Sequence, residues 1–304
     1  MKIAMLGTGI MGFPMARRLA EKGLQVSAWN RTKAKAAPLA AYGVRLAPTP
    51  ADAVAGADVI ATCLTDAEAL RSVLLARDGI LEAAPGVLIM DFSTSSPEAT
   101  RVLAEAAAAR GRSPWIDCPV SGGPSAAASG SLVAFCGGNA ADMATVDPVL
   151  KALTRRFTHM GPSGSGQGAK LCNQLIVSAT MIAISEAVTL AHAFGIDPAR
   201  LPAALAGGYA DSLPLQIFGP RMAAETLEPR ISEVATMLKD VREVASEGRQ
   251  EGLSLRLAET LELIYSTAET KGFGGDDLAI LPRLSQPARR PDTSRFADKI
   301  LSAT

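Results

Sequence analysis

The feature that most constrains this chain is a glycine triplet near its start. Gly7, Gly9 and Gly12 form a GxGxxG directly after an apolar run at residues 3–6 and directly before a helical stretch at 15–22. Alone the pattern says little; between a strand and a helix it marks a dinucleotide-binding turn. Gly7 permits the tight turn, Gly9 lets the backbone approach a pyrophosphate, and Gly12 lets helix and strand pack closely. The loop Gly7-Thr8-Gly9-Ile10-Met11-Gly12 and the helix start behind it then offer N–H groups to the phosphates. An N-terminal Rossmann domain is the expectation.

The second apolar run, 26–29, ends in Trp29-Asn30-Arg31-Thr32. An NAD site usually carries Asp or Glu here, to accept from the ribose hydroxyls. Asn30 is neutral and does not repel a 2′-phosphate. Arg31 and Thr32 are suited to bind one, with Lys33 or Lys35 assisting. The expected cofactor is NADP(H) in preference to NAD(H).

At 304 residues the chain is long enough for two domains, and 48% hydrophobic residues are enough for full cores. Strand-like runs stand at 3–6, 26–29, 59–64, 87–91, 115–117, 132–136 and 157–160, with helical stretches such as 15–22 and 99–110 between the early ones. Such alternation predicts an α/β, mostly parallel, doubly wound sheet. The first four runs are apolar almost throughout, as in strands buried on both faces. At 161–168 the composition turns to Gly, Ser and Pro, and strand signals fade. Residues 169–194 read as one long apolar helix ended by Gly195, followed by helical segments at 198–205, 233–248 and 254–271. The boundaries expected are a nucleotide-binding domain at 1–162 and an all-helical domain for substrate and dimerisation at 163–304. A long interdomain helix joins them, and a polar, Pro-containing tail occupies 285–304. A helix apolar around most of its circumference needs cover from other helices and a second subunit, so a homodimer or homotetramer is expected.

Several classes are disfavoured. Acidic and basic residues number 30 each and no long basic run occurs, which argues against a nucleic-acid partner. The first strand begins at Lys2, leaving no room for a signal peptide, and the richest apolar stretch, 171–190, contains Asn173, Gln174 and Glu186 and reads as a buried helix rather than a membrane span. The four cysteines, Cys63, Cys118, Cys136 and Cys172, have no CxxC spacing and read as small buried hydrophobes of a reducing cytoplasm. Only two histidines, His159 and His192, are present, far apart, so neither a metal site nor a Ser-His-Asp triad is expected.

Four motifs resemble the β-hydroxyacid dehydrogenase family, over roughly residues 1–284. They are Leu6-Gly7-Thr8-Gly9-Ile10-Met11-Gly12, continuing to Met15-Ala16 and Leu19; Asp117-Cys118-Pro119-Val120-Ser121-Gly122-Gly123, running on to Gly130-Ser131-Leu132; Gly164-Ser165-Gly166-Gln167-Gly168-Ala169-Lys170-Leu171-Cys172-Asn173-Gln174; and Leu238-Lys239-Asp240. The family usually has glycine where Ala126 stands and often a second asparagine where Gln174 stands. Imine reductases resemble the chain at Trp29-Asn30-Arg31-Thr32 but typically lack the lysine found here at 170, so Lys170 argues for a carbonyl substrate.

The resemblance implies hydride transfer between a nicotinamide cofactor and a small β-hydroxyacid or its semialdehyde. Reduction of a carbonyl leaves charge on oxygen, so a proton donor must lie within hydrogen-bond reach. Lys170 suits this role as a compact cation with three donors, near the start of the long helix where it can face a groove between domains. Asn173, three residues on, shares its helical face and can orient the substrate or hold Lys170. Ser121-Gly122-Gly123 follows a strand, and its backbone N–H groups and hydroxyl suit a substrate carboxylate. Leu64-Thr65 and Ser93-Thr94 follow strands and should border the cofactor, Thr94 near the nicotinamide ribose. Lys239 reads on its own as a surface charge; by resemblance it reaches the nicotinamide side of the cleft. Arg221 holds the second domain or a longer substrate, and Tyr209 and Phe218 read as core. Two alternatives stand beside this reading: an NAD-preferring 3-hydroxyisobutyrate or serine dehydrogenase, and a catalytically silent nucleotide-binding scaffold.

Overall fold

The computed structural model describes residues 1–76 and 79–285. The polar tail expected from 285 onward lies outside the described residues, apart from Ser285. The chain forms two compact units, one of residues 1–175 with 246–253, the other of 176–245 with the described residues from 254 onward.

The first unit is built on one nine-stranded sheet: β1 Lys2–Leu6, β2 Gln25–Trp29, β3 Arg45–Leu46, β4 Val59–Thr62, β5 Leu88–Asp91, β6 Trp115–Asp117, β7 Val120–Ser121, β8 Leu132–Gly138 and β9 Thr154–Gly161. The order is β3-β2-β1-β4-β5-β6-β8-β7, with β9 also paired to β8. From β3 to β6 all pairings are parallel; β8 runs antiparallel to β6 and β7 and parallel to β9. All seven strand runs read from the sequence are present. The two strands without a sequence signal, β3 and β7, are two residues long.

The apolar runs have a simple cause. Side chains alternate across a strand. Ile3 and Met5 of β1, Val59 and Ala61 of β4, and Leu88 and Met90 of β5 enter one core with Met15 and Leu19. Ala4 and Leu6, Ile60 and Ile89 enter the other, with Leu70 and Leu74. Both faces are covered, so no polar position is needed.

The long helix spans Ser165–Ala193 and begins four residues earlier than its apolar pattern suggests. Its first turn lies inside the glycine stretch because it presses against the sheet. A Cβ on Gly166 would strike the Phe135 carbonyl oxygen and stand 2.7 Å from Asp117 Oδ2. Asp117, at the end of β6, accepts from the Gly164 and Gln167 N–H groups at 2.8 and 3.0 Å and so caps the helix. The far end stops at Gly195, whose φ of 72° is left-handed.

In the second unit, helices Leu201–Leu205, Leu213–Ala223, Val234–Gln250 and Arg256–Ala268 accompany the long helix. The helix Leu213–Ala223 was not expected, since Pro214, Gly219 and Pro220 obscure its period. Arg221 lies 3.4 Å from the fully buried Asp277 and donates to the Pro229 carbonyl at 2.9 Å, a role in holding this unit. Phe218 is core as expected, but Tyr209 is fully exposed, in the turn that follows Gly207 and Gly208. The cysteine reading also needs one correction. Cys118 and Cys136 are buried, with their sulfurs 3.6 Å apart, and Cys63 is half-buried, whereas Cys172, on the long helix, is exposed. The long helix is likewise not buried all round: Ile176 and Leu190 are exposed on it, as is Phe194 just past its end.

Candidate active site

The glycine loop leaves β1 and turns beneath the end of β4. Gly7 has φ of 98°, and a Cβ there would collide with the Cys63 carbonyl oxygen. A Cβ on Gly12 would strike the Gly7 carbonyl oxygen. These two glycines are required by packing. Gly9 differs: apart from its chain neighbours, no atom of the described residues lies within 4 Å of where its Cβ would stand, so its backbone faces open space. The helix Gly12–Glu21 behind it has no side-chain cap and no acidic residue in its first turn. Its uncompensated N–H groups and positive dipole end suit an anion. The Thr8 hydroxyl is buried and has no hydrogen-bond partner among the described residues. An orphaned donor, an uncapped helix start and open space over Gly9 together fit a bound pyrophosphate.

Asn30, at the end of β2, ties this loop to the next. Its Oδ1 accepts from the Thr8 N–H at 2.9 Å, and its Nδ2 donates to the Thr32 carbonyl at 2.9 Å. Arg31, Thr32, Lys33 and Lys35 are exposed, and Arg31 makes no hydrogen bond or ion pair among the described residues.

A buried polar network crosses the carboxyl ends of β4, β5 and β6. Asp91 is fully buried; its Oδ1 accepts from the Thr62 hydroxyl at 2.7 Å and the Ser93 N–H at 3.0 Å. Burial pushes the Asp91 carboxyl up to about 6 against these hydrogen bonds, and the neighbouring Asp117 adds to the rise. Burial also raises Asp117, opposed by the backbone N–H groups it accepts from. The Ser93 hydroxyl accepts from the Leu64 N–H at 2.9 Å. Thr65 is exposed and donates to Asp66, and Thr94 is half-buried between Ser93 and Ser95.

Lys170 sits one turn beyond Gln167 and is 9% exposed. Its ammonium donates to the Val120 carbonyl at 3.0 Å. Val120 and Ser121 form β7, so the lysine is drawn to the Ser121-Gly122-Gly123 segment. Gly122 has φ of 128°, and a Cβ there would stand 2.6 Å from the Ala126 methyl, so the residue must be glycine. Gly123 opens onto space. The Ser121 hydroxyl makes no hydrogen bond among the described residues. Asn173 donates to the Gln174 side chain at 2.8 Å. Lys239 lies in the second unit, on the helix Val234–Gln250, half-exposed and 3.9 Å from Asp240.

A model of the NAD-binding domain of 6-phosphogluconate dehydrogenase matches residues 2–161, and a model of the NAD-binding domain of NADP-dependent 3-hydroxyisobutyrate dehydrogenase matches 164–284. The chain belongs to the β-hydroxyacid dehydrogenase family. It is 32% identical to the 2-hydroxy-3-oxopropionate reductase of Escherichia coli, over 90% of this chain and 92% of that one. It is 30% identical to an NAD-dependent L-serine dehydrogenase of Pseudomonas aeruginosa, over 95% and 99%. The Mycobacterium tuberculosis 3-hydroxyisobutyrate dehydrogenase, solved with L-serine, superposes with a TM-score of 0.85 at 28% identity, covering 94% of this chain and 99% of that one. As a member of this family it is an NAD(P)-binding oxidoreductase with a Rossmann fold.

Of the residues expected at its site, Gly7 to Gly12, Asn30, Leu64 and Thr94 gather along the carboxyl ends of β1, β2, β4 and β5, and Lys170 joins Ser121 and Gly122. The sequence reading places Ser93 beside the cofactor with Thr94 but gives no role to Asp91, Ser95 or Gln167. Asp91 carried a signal: a carboxylate closing an otherwise apolar strand has to be buried with partners.

Proposed function

We propose that this enzyme is an NADP(H)-preferring reductase of small aldehyde acids, reversible toward the β-hydroxyacid, with Lys170 as general acid and base. The observation that carries the reading is the Lys170 ammonium, buried and held on the Val120 carbonyl next to Ser121-Gly122-Gly123. A cation there neutralises charge developing on a carbonyl oxygen, and one of its protons can pass to that oxygen. Burial in a site that also binds an anion gives it the work of a donor rather than of a solvated surface charge. Ser121 and the N–H groups of Gly122 and Gly123 bind the substrate carboxylate, and Asn173 orients the substrate. The backbone from Gly7 to Gly12 and the Thr8 hydroxyl hold the pyrophosphate, and Leu64, Thr65 and Thr94 border the rest of the cofactor. When bound, the nicotinamide supplies or accepts the hydride. Arg31 and Thr32 bind a 2′-phosphate. Lys239 contributes to cofactor or substrate binding.

A second reading is favoured by the relatives that carry serine in their names or sites: an NAD-preferring dehydrogenase of L-serine or 3-hydroxyisobutyrate. One panel decides. Glyoxylate, succinic semialdehyde, tartronate semialdehyde and methylmalonate semialdehyde are assayed with NADPH and NADH, and L-serine and 3-hydroxyisobutyrate with NADP and NAD. Highest kcat/KM for a semialdehyde with NADPH supports the first reading. Highest kcat/KM for a hydroxyacid with NAD supports the second. No turnover in any arm would leave a nucleotide-binding scaffold.

A further inference from the structure

Gln167 is fully buried, and each of its polar groups is engaged. Its side-chain Nε2 donates to the Ser93 carbonyl at 2.7 Å, and its Oε1 accepts from the Ser95 N–H at 3.3 Å. The amide therefore pairs with the backbone on both sides of Thr94, as a neighbouring strand would. Its own N–H donates to Asp117 Oδ2 at 3.0 Å, so the first turn of the helix is pinned at the same point. Lys170 follows one helical turn later and donates to Val120. The loop at 93–95 is held from its other side as well, by Asp91 on the Ser93 N–H and by the Ser93 hydroxyl on the Leu64 N–H. One side chain thus joins the loop carrying Thr94 to the helix carrying Lys170.

We propose that Gln167 is a positioning residue of the reaction: by clamping the Ser93 carbonyl and the Ser95 N–H, it fixes the cofactor-side loop at Thr94 relative to the Lys170 ammonium. This rests on the reading of Lys170 as the general acid and base and of Thr94 as a neighbour of the nicotinamide. An amide meets both demands at every pH, because the site needs a donor toward 93 and an acceptor toward 95. Leucine fills the volume and offers neither. Glutamate keeps the acceptor but turns an anionic oxygen toward the Ser93 carbonyl, except when it is protonated and can donate.

The test uses the full-length enzyme, NADPH and the semialdehyde of the panel that wild type turns over fastest. For Gln167→Leu, kcat is expected to fall about 10–100-fold, the scale of an ångström-sized misplacement. The Kd for NADPH, read by nicotinamide fluorescence, is expected to stay nearly unchanged, because the pyrophosphate loop is untouched. Gln167→Glu supplies a second readout. The ratio of its kcat to that of wild type is expected to rise as pH falls from 8 to about 5.5, as the carboxyl regains a proton to donate. A kcat near wild type in folded Gln167→Leu, or a Gln167→Glu ratio flat with pH, overturns the proposal. If neither variant folds, Gln167 is a folding residue and the proposal is likewise overturned. Lys170→Ala run alongside separates the two levels. Normal turnover in Lys170→Ala removes the functional reading itself, whereas an inactive Lys170→Ala beside a fully active Gln167→Leu removes only the clamp.

Discussion

Asn30 does two jobs with one amide. It leaves the end of β2 without a carboxylate, and it fastens the glycine loop to the loop bearing Arg31 through Thr8 and Thr32. The first job is legible from sequence, since a missing acid at that place is a local fact. The second is not, because it depends on a pairing across 22 positions of chain. Arg31 is exposed and makes no hydrogen bond or ion pair among the described residues, and on the proposed reading it meets a 2′-phosphate. A charge-assisted contact of that kind is worth about 1.5–3 kcal/mol, or about 10–150-fold in kcat/KM favouring NADPH. Arg31→Ala is expected to weaken NADPH use and leave NADH use nearly unchanged; equal loss with both cofactors would make Arg31 an ordinary loop charge. Asn30→Asp is expected to hurt NADPH use further, since it adds repulsion and removes the donor to Thr32. For Lys170→Ala, kcat is expected to drop about 10²–10⁴-fold with cofactor binding intact, the usual scale of acid–base catalysis. Stopped-flow turnover and fluorescence titration of NADPH measure the two parts separately.

At the scale of elements, the sequence is most readable where one physical demand dominates a whole segment. β1, β4 and β5 are buried on both faces, so nearly every position repeats the same signal, and the sequence places them to within a residue or two. Elements fixed by a few contacts were less visible. β3 and β7 are too short to show a period, and the helix at Leu213–Ala223 is set by its packing despite two prolines. The start of the long helix was hidden because its glycines serve close approach to Asp117 and Phe135, not flexibility. That crowding also concentrates acid at the ends of adjacent strands, Asp91 standing beside Asp117 in register. The Asp91 carboxyl is raised to about 6 from an ordinary 3.8. The folded protein therefore holds this proton more tightly than the unfolded chain. Its contribution to stability is fully present below about pH 3.8 and is lost as pH rises through about 6. The shift corresponds to about 3 kcal/mol at 1.36 kcal/mol per unit. Asp91→Asn keeps an acceptor for Thr62 and Ser93 without the charge. Relative to wild type it is expected to gain about 2–3 kcal/mol between pH 4 and pH 8. Urea unfolding at both pH values checks this; a difference independent of pH would mean that Asp91 does not titrate in this range.

For the whole molecule, the telling surface is on the long helix. Within its 29 residues an 18-residue stretch has a mean hydropathy of 1.6, long and apolar enough by composition to cross a membrane, yet only 39% of that stretch is buried within the protein. The exposed remainder is ordered. Ile176, Ala183, Ala187 and Leu190 recur at spacings of seven, four and three, which puts them on one stripe of the helix, and Phe194, the first residue past its end, continues the stripe with its N–H on the Leu190 carbonyl. Ile176 is 66% exposed, Leu190 54% and Phe194 70%. Glu186 stands beside this stripe, a charge that suits a partly wet protein interface better than lipid. We propose that a second copy of the chain covers the stripe, its small central residues letting the partner approach closely while the large residues at either end are buried. A stable interface removes about 1,600 Å² of surface in total, so the stripe would be its centre and not its full extent. Light scattering at micromolar concentration is expected to give a dimer or tetramer of the 31.4 kDa chain. Because Leu190 and Phe194 are already exposed in the single chain, Leu190→Glu with Phe194→Glu is expected to leave the protomer folded by circular dichroism while lowering the mass toward that of one chain. A clean monomer in wild type would reject the assembly. An unchanged oligomer in the double variant would move the interface to another face.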